Sequence, residues 1–317
     1  MEACRGNGRI TYMRLSITDR CDLQCRYCAP YRNSTGRTAT PLSVDEIAAL
    51  VRAFAGNGVS KVRVTGGEPL VRPDVVGIVE LLTRTAGVDT VGLTTNAVRL
   101  EEMAAPLARA GLRSVNISLD SLDRETFRRI TGSDSLAAAL RGLDAALRAF
   151  EKVKINTVVM RGVNDGEVLA IADLARRLPV EARFIELMPL GHTAREWESM
   201  FVSAGEIRQM LGDVEPLPRP PGSSARVFAI RGAGRVGIIS PMSDDFCAEC
   251  NRVRVTASGR FKPCLRLPDE RDVRSLLRES DPAASARELM AWAQRHKLSG
   301  PTQFAAVQAE GMCSVGG

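Results

Sequence analysis

Residues 10–28 read ITYMRLSITDRCDLQCRYC. From Ile10 to Ile17 the residues are mostly apolar or β-branched, as is typical of a strand. The second half places Cys21, Cys25 and Cys28 at the spacing C-x3-C-x2-C. A strand that runs directly into such a loop brings three thiols close together. The segment therefore predicts a metal centre at the end of the first strand of the fold.

The number of cysteines in this loop bears on the metal that it binds. A four-iron cubane takes four ligands, so three cysteines leave one iron open to an exchangeable ligand. Structural zinc is the alternative, but zinc sites are usually closed by a fourth nearby cysteine or histidine. The two histidines, His192 and His296, lie far from the loop in sequence. We therefore expect an iron–sulfur cluster.

Between Arg9 and Pro189, short β-branched runs alternate with longer helical patterns, which is typical of a parallel sheet built from strand–helix units. We predict an α/β fold in which six such units form a partial TIM-type barrel. A doubly wound open sheet would produce the same alternation and is the alternative. The predicted strands are Ile10 to Ile17, Lys61 to Thr65, Thr90 to Thr95, Ser114 to Leu119, Val153 to Val159 and Ala182 to Leu187.

Polar and glycine-rich segments follow several of these strands. In TIM-type barrels, functional side chains collect at the C-terminal ends of the strands. Glycines at such a position let the backbone approach a ligand closely. Besides the cysteine loop, the strand ends carry GGEP at 66–69, TTN at 94–96, SLD at 118–120 and ELMP at 186–189. We expect these segments to share one rim of the barrel.

A second cysteine triplet, Cys247, Cys250 and Cys264, lies after the alternating region. Its spacing, C-x2-C-x13-C without a nearby histidine, predicts another cluster with an open iron. Zinc bound by these three cysteines and Cys313 is the alternative. We assign residues 1–190 to the barrel. Residues 191–317 would form a smaller C-terminal subdomain with the second cluster and the substrate site.

The segment between the cysteines of this triplet reads CNRVRVT at 250–256. On a strand, Arg252 and Arg254 project from the same face, because successive side chains alternate between faces. Two guanidinium groups on one face suit phosphate oxygens. A solvated pair on an exposed strand is the alternative interpretation.

Together these motifs resemble the MoaA family of GTP 3′,8-cyclases, which are radical S-adenosylmethionine (SAM) enzymes of molybdenum-cofactor biosynthesis. The resemblance runs from about Arg9 to Gly317 and rests on the first cysteine loop with its Tyr27, on GGEP and on CNRVRV. It implies SAM and two [4Fe–4S] clusters, of which the first generates a 5′-deoxyadenosyl radical that abstracts H3′ from the ribose of GTP. The implied product is (8S)-3′,8-cyclo-7,8-dihydroguanosine 5′-triphosphate, which a downstream cyclic pyranopterin monophosphate synthase would consume.

The same resemblance implies roles for individual residues. The cluster ligands would be Cys21, Cys25, Cys28, Cys247, Cys250 and Cys264. The SAM contacts would be Tyr27, Gly67, Ser118 and Met188. The GTP contacts would be Arg14, Lys61, Arg63, Thr94, Lys154, Arg183, Arg252, Val253, Arg254 and the last two residues, Gly316 and Gly317.

One departure from the family pattern is Asp22, where asparagine is expected, and it puts a local hydrogen bond in doubt. Two other functions fit parts of the sequence. One is a different radical SAM enzyme with an auxiliary cluster, such as a peptide maturase. A peptide maturase would be expected to carry a peptide groove or a leader-binding domain, and we recognise no added N-terminal domain in the sequence. The other is a zinc-binding module without catalysis.

Composition excludes some further classes. Aromatic residues make up only 4% of the chain and the net charge is +6 without a long basic run, so nucleic-acid binding is not expected. No apolar run approaches the roughly 20 residues that span a bilayer, and no secretory signal is recognisable at the N-terminus. We therefore expect a cytoplasmic protein that does not enter membranes, and a homodimer is a further expectation.

Overall fold

The computed structural model describes residues 9–28, 40–190, 194–220, 222–231, 234–244 and 246–299. No helix within these ranges is long and apolar enough to cross a bilayer. The strands are β1 Tyr12–Ser16, β2 Lys61–Thr65, β3 Thr90–Thr95, β4 Ser114–Ser118, β5 Lys152–Val159, β6 Val180–Glu186, β7 Val214–Pro216, β8 Ala225–Ile230, β9 Arg235–Ile239, β10 Arg252–Val255, β11 Arg260–Lys262 and β12 Arg271–Asp272. The helices are α1 Val44–Ala55, α2 Val75–Thr83, α3 Leu100–Arg109, α4 Arg124–Thr131, α5 Leu136–Ala149, α6 Val168–Arg177, α7 Trp197–Met200, α8 Ala204–Leu211, α9 Val273–Leu277 and α10 Pro282–Ser299.

The first six strands are parallel and lie in the order of the chain, from β1 to β6. A doubly wound sheet would reverse its strand order near the middle. These six strands show no reversal, and the predicted partial barrel is confirmed. Strands β2 and β3 have the predicted bounds, whereas β6 begins at Val180 rather than at Ala182.

The C-terminal strands extend this same sheet at both of its edges. Strand β9 pairs parallel with β6, and the antiparallel strands β8 and β7 follow it. At the other edge β10 pairs parallel with β1, followed by antiparallel β11 and β12. All twelve strands thus belong to one sheet. The division into domains at residue 190 stays a prediction, and the C-terminal strands on both sides of the barrel are continuous with it.

Local sequence explains where the first helix begins. Ser43 caps α1, because its side chain accepts a hydrogen bond from the backbone of Glu46 while the Glu46 carboxylate accepts one from the backbone of Ser43. This reciprocal pair satisfies two backbone N–H groups that a helix start would leave free. The helix then buries Ile47, Leu50 and Phe54 against the sheet core. Capping and burial together fix where this helix begins.

Aromatic packing attaches the C-terminal helix to this face of the barrel. The ring centroids of Phe54 on α1 and Phe261 on β11 are 5.5 Å apart. Phe261 and Trp292 on α10 follow at 6.1 Å. Aromatic pairs at such distances contribute beyond the area they bury. The contacts hold α10, with its Lys297, close to the second cysteine triplet.

Candidate active site

A cavity of about 920 Å³ occupies the interior of the barrel. Its walls come from strands β1 to β6 and from β10, together with the loops at the strand ends. All six predicted cluster cysteines line it, which brings the two triplets into one site. The other predicted residues that line it are Arg14, Tyr27, Lys61, Arg63, Gly67, Thr94, Ser118, Lys154, Arg183, Met188, Arg252 and Arg254.

The topology places the two triplets at opposite ends of the cavity. Cys21 follows the C-terminal end of β1, whereas Cys250 precedes the start of β10. These strands are parallel and in register, with Tyr12 opposite Arg252. Strand β11 runs antiparallel to β10 and so returns Cys264 to the same end as Cys250. The strand interiors between the two ends carry the cationic side chains.

The glycine pair packs against the loop that bears the first triplet. A Cβ atom on Gly67 would lie 2.4 Å from the carbonyl oxygen of Arg20, and one on Gly66 would lie 2.7 Å from that of Thr18. The Gly67 N–H donates to the Thr18 carbonyl at 2.7 Å. Close approach to a ligand, the role expected of these glycines, is thus only part of the reason for them. They are required first because the cysteine loop itself lies against them.

Glu68 of the same motif is a buried hydrogen-bond acceptor, and both of its carboxylate oxygens accept hydrogen bonds from the protein. Its carboxylate accepts from the Thr95 hydroxyl and the Asn96 backbone, both at 2.7 Å, and from the Leu70 backbone at 3.0 Å. Burial raises the pKa of Glu68 to about 7, against the lowering effect of these donors. Glu68 therefore connects the end of β2 to the end of β3.

Asp22 in the cysteine loop has a partner that suits a carboxylate. The Asn96 side-chain amide donates to Asp22 at 2.7 Å, and Arg99 donates to its other oxygen at 3.3 Å. With aspartate at this position, the cysteine loop has two side-chain hydrogen bonds to the segment after β3. Arg99 and Asn96 anchor the loop to the end of β3.

Asp120, which follows β4 on the same rim, orients Tyr27. Its hydroxyl donates to Asp120 at 2.6 Å, and the Val158 backbone donates to the other oxygen of Asp120 at 2.8 Å. Burial raises the pKa of Asp120 to about 6, although the hydrogen bond from Tyr27 opposes the shift. On the same rim Met188 packs with Leu190 and Leu265. Met188 therefore fills apolar space and lines the cavity as well.

Seven cationic side chains on β1, β2, β5, β6 and β10 line the cavity, and we call these seven the basic cluster. Sheet register makes several of them direct neighbours: Arg14 lies between Arg63 and Arg254. Burial, and then Arg14, lower the pKa of Arg254 to about 9, but a guanidinium of this pKa is still charged at pH 7. The members are Arg14, Lys61, Arg63, Lys154, Arg183, Arg252 and Arg254.

One carboxylate partly compensates this charge. Glu181 on β6 forms ion pairs with Lys154, at 3.5 Å, and with Arg183. Burial lowers the pKa of Lys154 to about 8, with Arg183 adding to the effect. The seven cations of the basic cluster exceed the negative charge of Glu181, and this excess favours a multiply charged anion as the ligand.

Several buried polar atoms in the cavity have no hydrogen-bond partner among the described residues. They include the Thr94 hydroxyl, the Asn156 side-chain oxygen, and Nε and one Nη of Arg252. Buried polar groups without partners are costly and rare. Arg252 also lies over the ring of Phe246, at 4.7 Å from its centroid, which holds the guanidinium while leaving these nitrogens free. The atoms fit a polar, anionic ligand.

The second triplet lies among positively charged donors. Lys297 on α10 donates to Cys250 Sγ at 3.2 Å, and Arg266 lies 3.6 Å from Cys247 Sγ. Burial raises the pKa of the Cys250 thiol, but the charges of Lys297 and Arg252 outweigh it and lower the pKa to about 7. In the described part of the chain, no three Cys, His, Asp or Glu side chains converge on a single ion. The positive charges beside the second triplet favour the thiolate form of Cys250, which is the form that binds a metal.

Three of the predicted GTP contacts are not placed at the cavity. The Val253 side chain is fully buried in the hydrophobic core and does not line the cavity, because it alternates with Arg252 and Arg254 along β10. Only the Val253 main chain can therefore face the site. Gly316 and Gly317 lie outside the described residues.

Some residues of the site had no recognisable signal in the sequence. Tyr12 accepts a hydrogen bond from Arg63 at 2.8 Å. Gly92 makes room for the same arginine, since a Cβ there would lie 2.8 Å from its guanidinium. The Glu186 carboxylate accepts from the backbones of Ala204 and Met242, both at 2.7 Å. Besides the arginine pair on β10, the alternation of basic with apolar residues on β1 and β2 is a signal that points to an interior basic site.

Two family models match successive parts of the chain. Residues 15–175 match the model of the radical SAM superfamily, and residues 180–300 match the model described as Molybdenum Cofactor Synthesis C. The first runs from the end of β1, through the first triplet, to most of α6. The second contains the second triplet and Arg252.

Curated relatives resemble the chain over most of its length. A GTP 3′,8-cyclase of Moorella thermoacetica is 43% identical over 89% of this chain and 90% of the relative. One of Ectopseudomonas mendocina is 44% identical over 85% and 83%. One of Alkaliphilus oremlandii is 37% identical over 98% of both chains.

Solved structures share the fold at low sequence identity. Streptococcus suis SuiB bound to S-adenosylmethionine superposes with a TM-score of 0.63 at 14% identity, covering 88% of this chain and 68% of SuiB. HydG, a maturase of the [FeFe]-hydrogenase, has a TM-score of 0.52 at 18% identity over 65% of this chain and 49% of HydG. These likenesses support the barrel architecture alone.

Proposed function

The chain belongs to the GTP 3′,8-cyclase family of the radical SAM superfamily, and from this we propose that it converts GTP into (8S)-3′,8-cyclo-7,8-dihydroguanosine 5′-triphosphate for molybdenum-cofactor biosynthesis. Membership in the superfamily implies a [4Fe–4S] cluster and SAM. Cys21, Cys25 and Cys28 would hold this cluster. When bound, the reduced cluster and SAM would supply a 5′-deoxyadenosyl radical that takes H3′ from GTP; C3′ would then bond to C8 of guanine, and one electron from an external reductant and one proton would complete the dihydro product.

The observation that carries the proposal is the basic cluster between two cysteine triplets in one cavity. A triphosphate brings the multiple negative charge that this cluster requires. The nitrogens of Arg252 that lack partners among the described residues are available to phosphate oxygens. Arg14 and Arg63 flank them on neighbouring strands. The basic cluster therefore fixes the phosphate end of the nucleotide.

We place the guanine at the second triplet, where a second [4Fe–4S] cluster would have an open iron for the base. The donor set of Cys247, Cys250 and Cys264 supports it, and so do the cations Lys297 and Arg266 beside the thiolates. Holding the two ends of GTP by different chemistry fixes C3′ between them. A peptide maturase would have no use for seven interior cations, and a zinc module would not need a cavity of this size.

The rim residues would orient SAM. Tyr27, held by Asp120, and Gly67, Ser118 and Met188 line the cavity near the first triplet. Thr94, whose hydroxyl lacks a partner among the described residues, would face the substrate. The barrel wall excludes water and oxygen from a reactive species, which suits radical chemistry. The tail residues Gly316 and Gly317 and the Val253 main chain would add contacts to GTP.

Anaerobic reconstitution followed by incubation with dithionite, SAM and GTP tests this function. We expect about eight iron atoms per chain, 5′-deoxyadenosine and a cyclised nucleotide of unchanged mass. Zinc in place of iron, or SAM cleavage without any GTP conversion, would contradict the proposal. A cytoplasmic location, a homodimer and transfer of the product to a cyclic pyranopterin monophosphate synthase complete the proposed setting.

A further inference from the structure

Tyr12 lies in the middle of the basic cluster. Its phenol oxygen accepts a hydrogen bond from Arg63 Nε at 2.8 Å. It also shares a side-chain hydrogen bond with Arg14. Lys61 Nζ lies 4.8 Å from the centre of its ring. Arg252 is its cross-strand neighbour on β10, so Tyr12 is surrounded by cations from three adjacent strands.

Arg63 is held so that the phenol oxygen accepts from one of its few remaining N–H donors. Its Nη1 donates to the Leu93 carbonyl at 2.9 Å, and Gly92 leaves the room that the guanidinium fills. The guanidinium therefore has a fixed orientation, and the Tyr12 oxygen lies where a phosphate oxygen could bind in a ligand complex.

From this geometry we propose that Tyr12 is a positioning residue for the triphosphate. In the empty site its phenolate oxygen holds Arg63 and Arg14 in place. When nucleotide binds, the phenolate takes up one proton from solvent and yields both guanidinium groups to the phosphate oxygens. The inference rests on the proposed function, because it needs a phosphorylated ligand in this cavity.

The charges around Tyr12 support an ionised phenol. Burial alone would raise the pKa of Tyr12, but Arg63, Arg14 and Lys61 outweigh it and lower the pKa to about 7. Of the nearby acids, Glu181 is paired with Lys154 and Arg183, and Asp89 is exposed. The charged groups that face this part of the cavity are Arg14 on β1, Lys61 and Arg63 on β2, Lys154 on β5, Glu181 and Arg183 on β6, Arg252 and Arg254 on β10, and Asp89 before β3.

The expected consequence is a pH-dependent affinity for GTP. If only the neutral phenol is competent to bind, the dissociation constant of the parent should rise about 25-fold from pH 6.5 to 8.5, as the competent fraction falls. Tyr12→Phe has no phenol to ionise and should lack this dependence. Titration of Lys154 and of the nucleotide is common to both proteins, so the ratio of the two constants reports the ionisation of Tyr12 together with its effect on the neighbouring Lys61.

The test is equilibrium titration of the anaerobic holoenzyme, parent and Tyr12→Phe, with GTP and with guanosine across this pH range. The dissociation constant of the parent for GTP, divided by that of Tyr12→Phe, should rise with pH. The same quotient for guanosine should stay constant. A constant ratio for GTP would overturn the role of Tyr12 alone. Failure of the parent to bind GTP even at pH 6.5 would instead contradict the proposed function.

A second variant makes the test of the proposal independent of whether Tyr12→Phe folds correctly. Site-specific 3-fluorotyrosine at position 12 keeps the shape of the side chain but has a more acidic phenol. The midpoint of the pH profile should therefore move to lower pH. A midpoint that stays where the parent has it would show that another group titrates, and the proposal would fail.

Discussion

Arg14 on β1 and Arg254 on β10 are direct cross-strand neighbours in a parallel pair, although they are far apart in sequence. Their guanidinium groups meet in the cavity only because the segment after Cys250 returns to the edge strand of the barrel. The phosphate-binding part of the site thus depends on pairing between the two regions that match different family models.

Replacing both β10 arginines should weaken GTP binding selectively. Arg252→Ala with Arg254→Ala removes charge-assisted hydrogen bonds worth about 1.5–3 kcal/mol each, and these exist only where phosphate is present. Affinity for guanosine should change little. Titration of the anaerobic holoenzyme with both ligands measures the difference, and an unchanged GTP affinity would return the two arginines to a structural role.

Gly67→Ala should destabilise the first cysteine loop. The added Cβ would lie 2.4 Å from the Arg20 carbonyl oxygen, so backbone must move, at a cost of about 1–3 kcal/mol. Gly77→Ala on α2 is the matched control, since a Cβ there meets no atom within 4 Å and alanine favours a helix by about 0.5–1 kcal/mol. The free energy of unfolding in urea and the iron content should both be lower for Gly67→Ala than for Gly77→Ala. Equal stability of both variants would mean that the loop does not pack as described.

Cys25→Ala should abolish SAM cleavage with or without GTP. A cubane left with two protein thiolates loses an iron or does not assemble. Arg252 and the second triplet should be unaffected, so iron should fall without complete loss. The measurement is 5′-deoxyadenosine released by the reconstituted variant. Release near the parent level would contradict the assignment of the first cluster.

Replacing Cys247, Cys250 and Cys264 together by alanine should have the opposite pattern. Iron should fall by about half, to one cubane. Uncoupled formation of 5′-deoxyadenosine should survive, because the first triplet lies at the other end of the cavity, while GTP cyclisation should be lost. A variant that still cyclises GTP would show that the second triplet is structural.

The sequence predicted those parts of the fold that are local. β-Branched runs placed β2 and β3 at their observed bounds, and cysteine spacing identified both triplets. Alternation along β10 correctly put Arg252 and Arg254 on one face, and the same alternation puts the Val253 side chain in the core, so that a contact of Val253 with GTP would come from its main chain. Periodicity was informative because strand geometry is repetitive.

Long-range pairing was not predictable in this way. That β9 joins β6 while β10 joins β1 depends on contacts between distant segments, and no local pattern specifies the partner strand. The roles of Tyr12, Gly92 and Glu186 depend on the same pairing. The glycines at 66 and 67 were recognised as a motif, but the reason for them, the cysteine loop that lies against them, required the structure.

The most direct test of the central claim uses GTP that carries deuterium at C3′. The reconstituted enzyme is incubated anaerobically with dithionite, SAM and this substrate, and the 5′-deoxyadenosine is analysed by mass spectrometry. We predict that it gains deuterium in step with formation of the cyclised nucleotide. Deuterium-free 5′-deoxyadenosine accompanied by unconverted GTP would contradict the account.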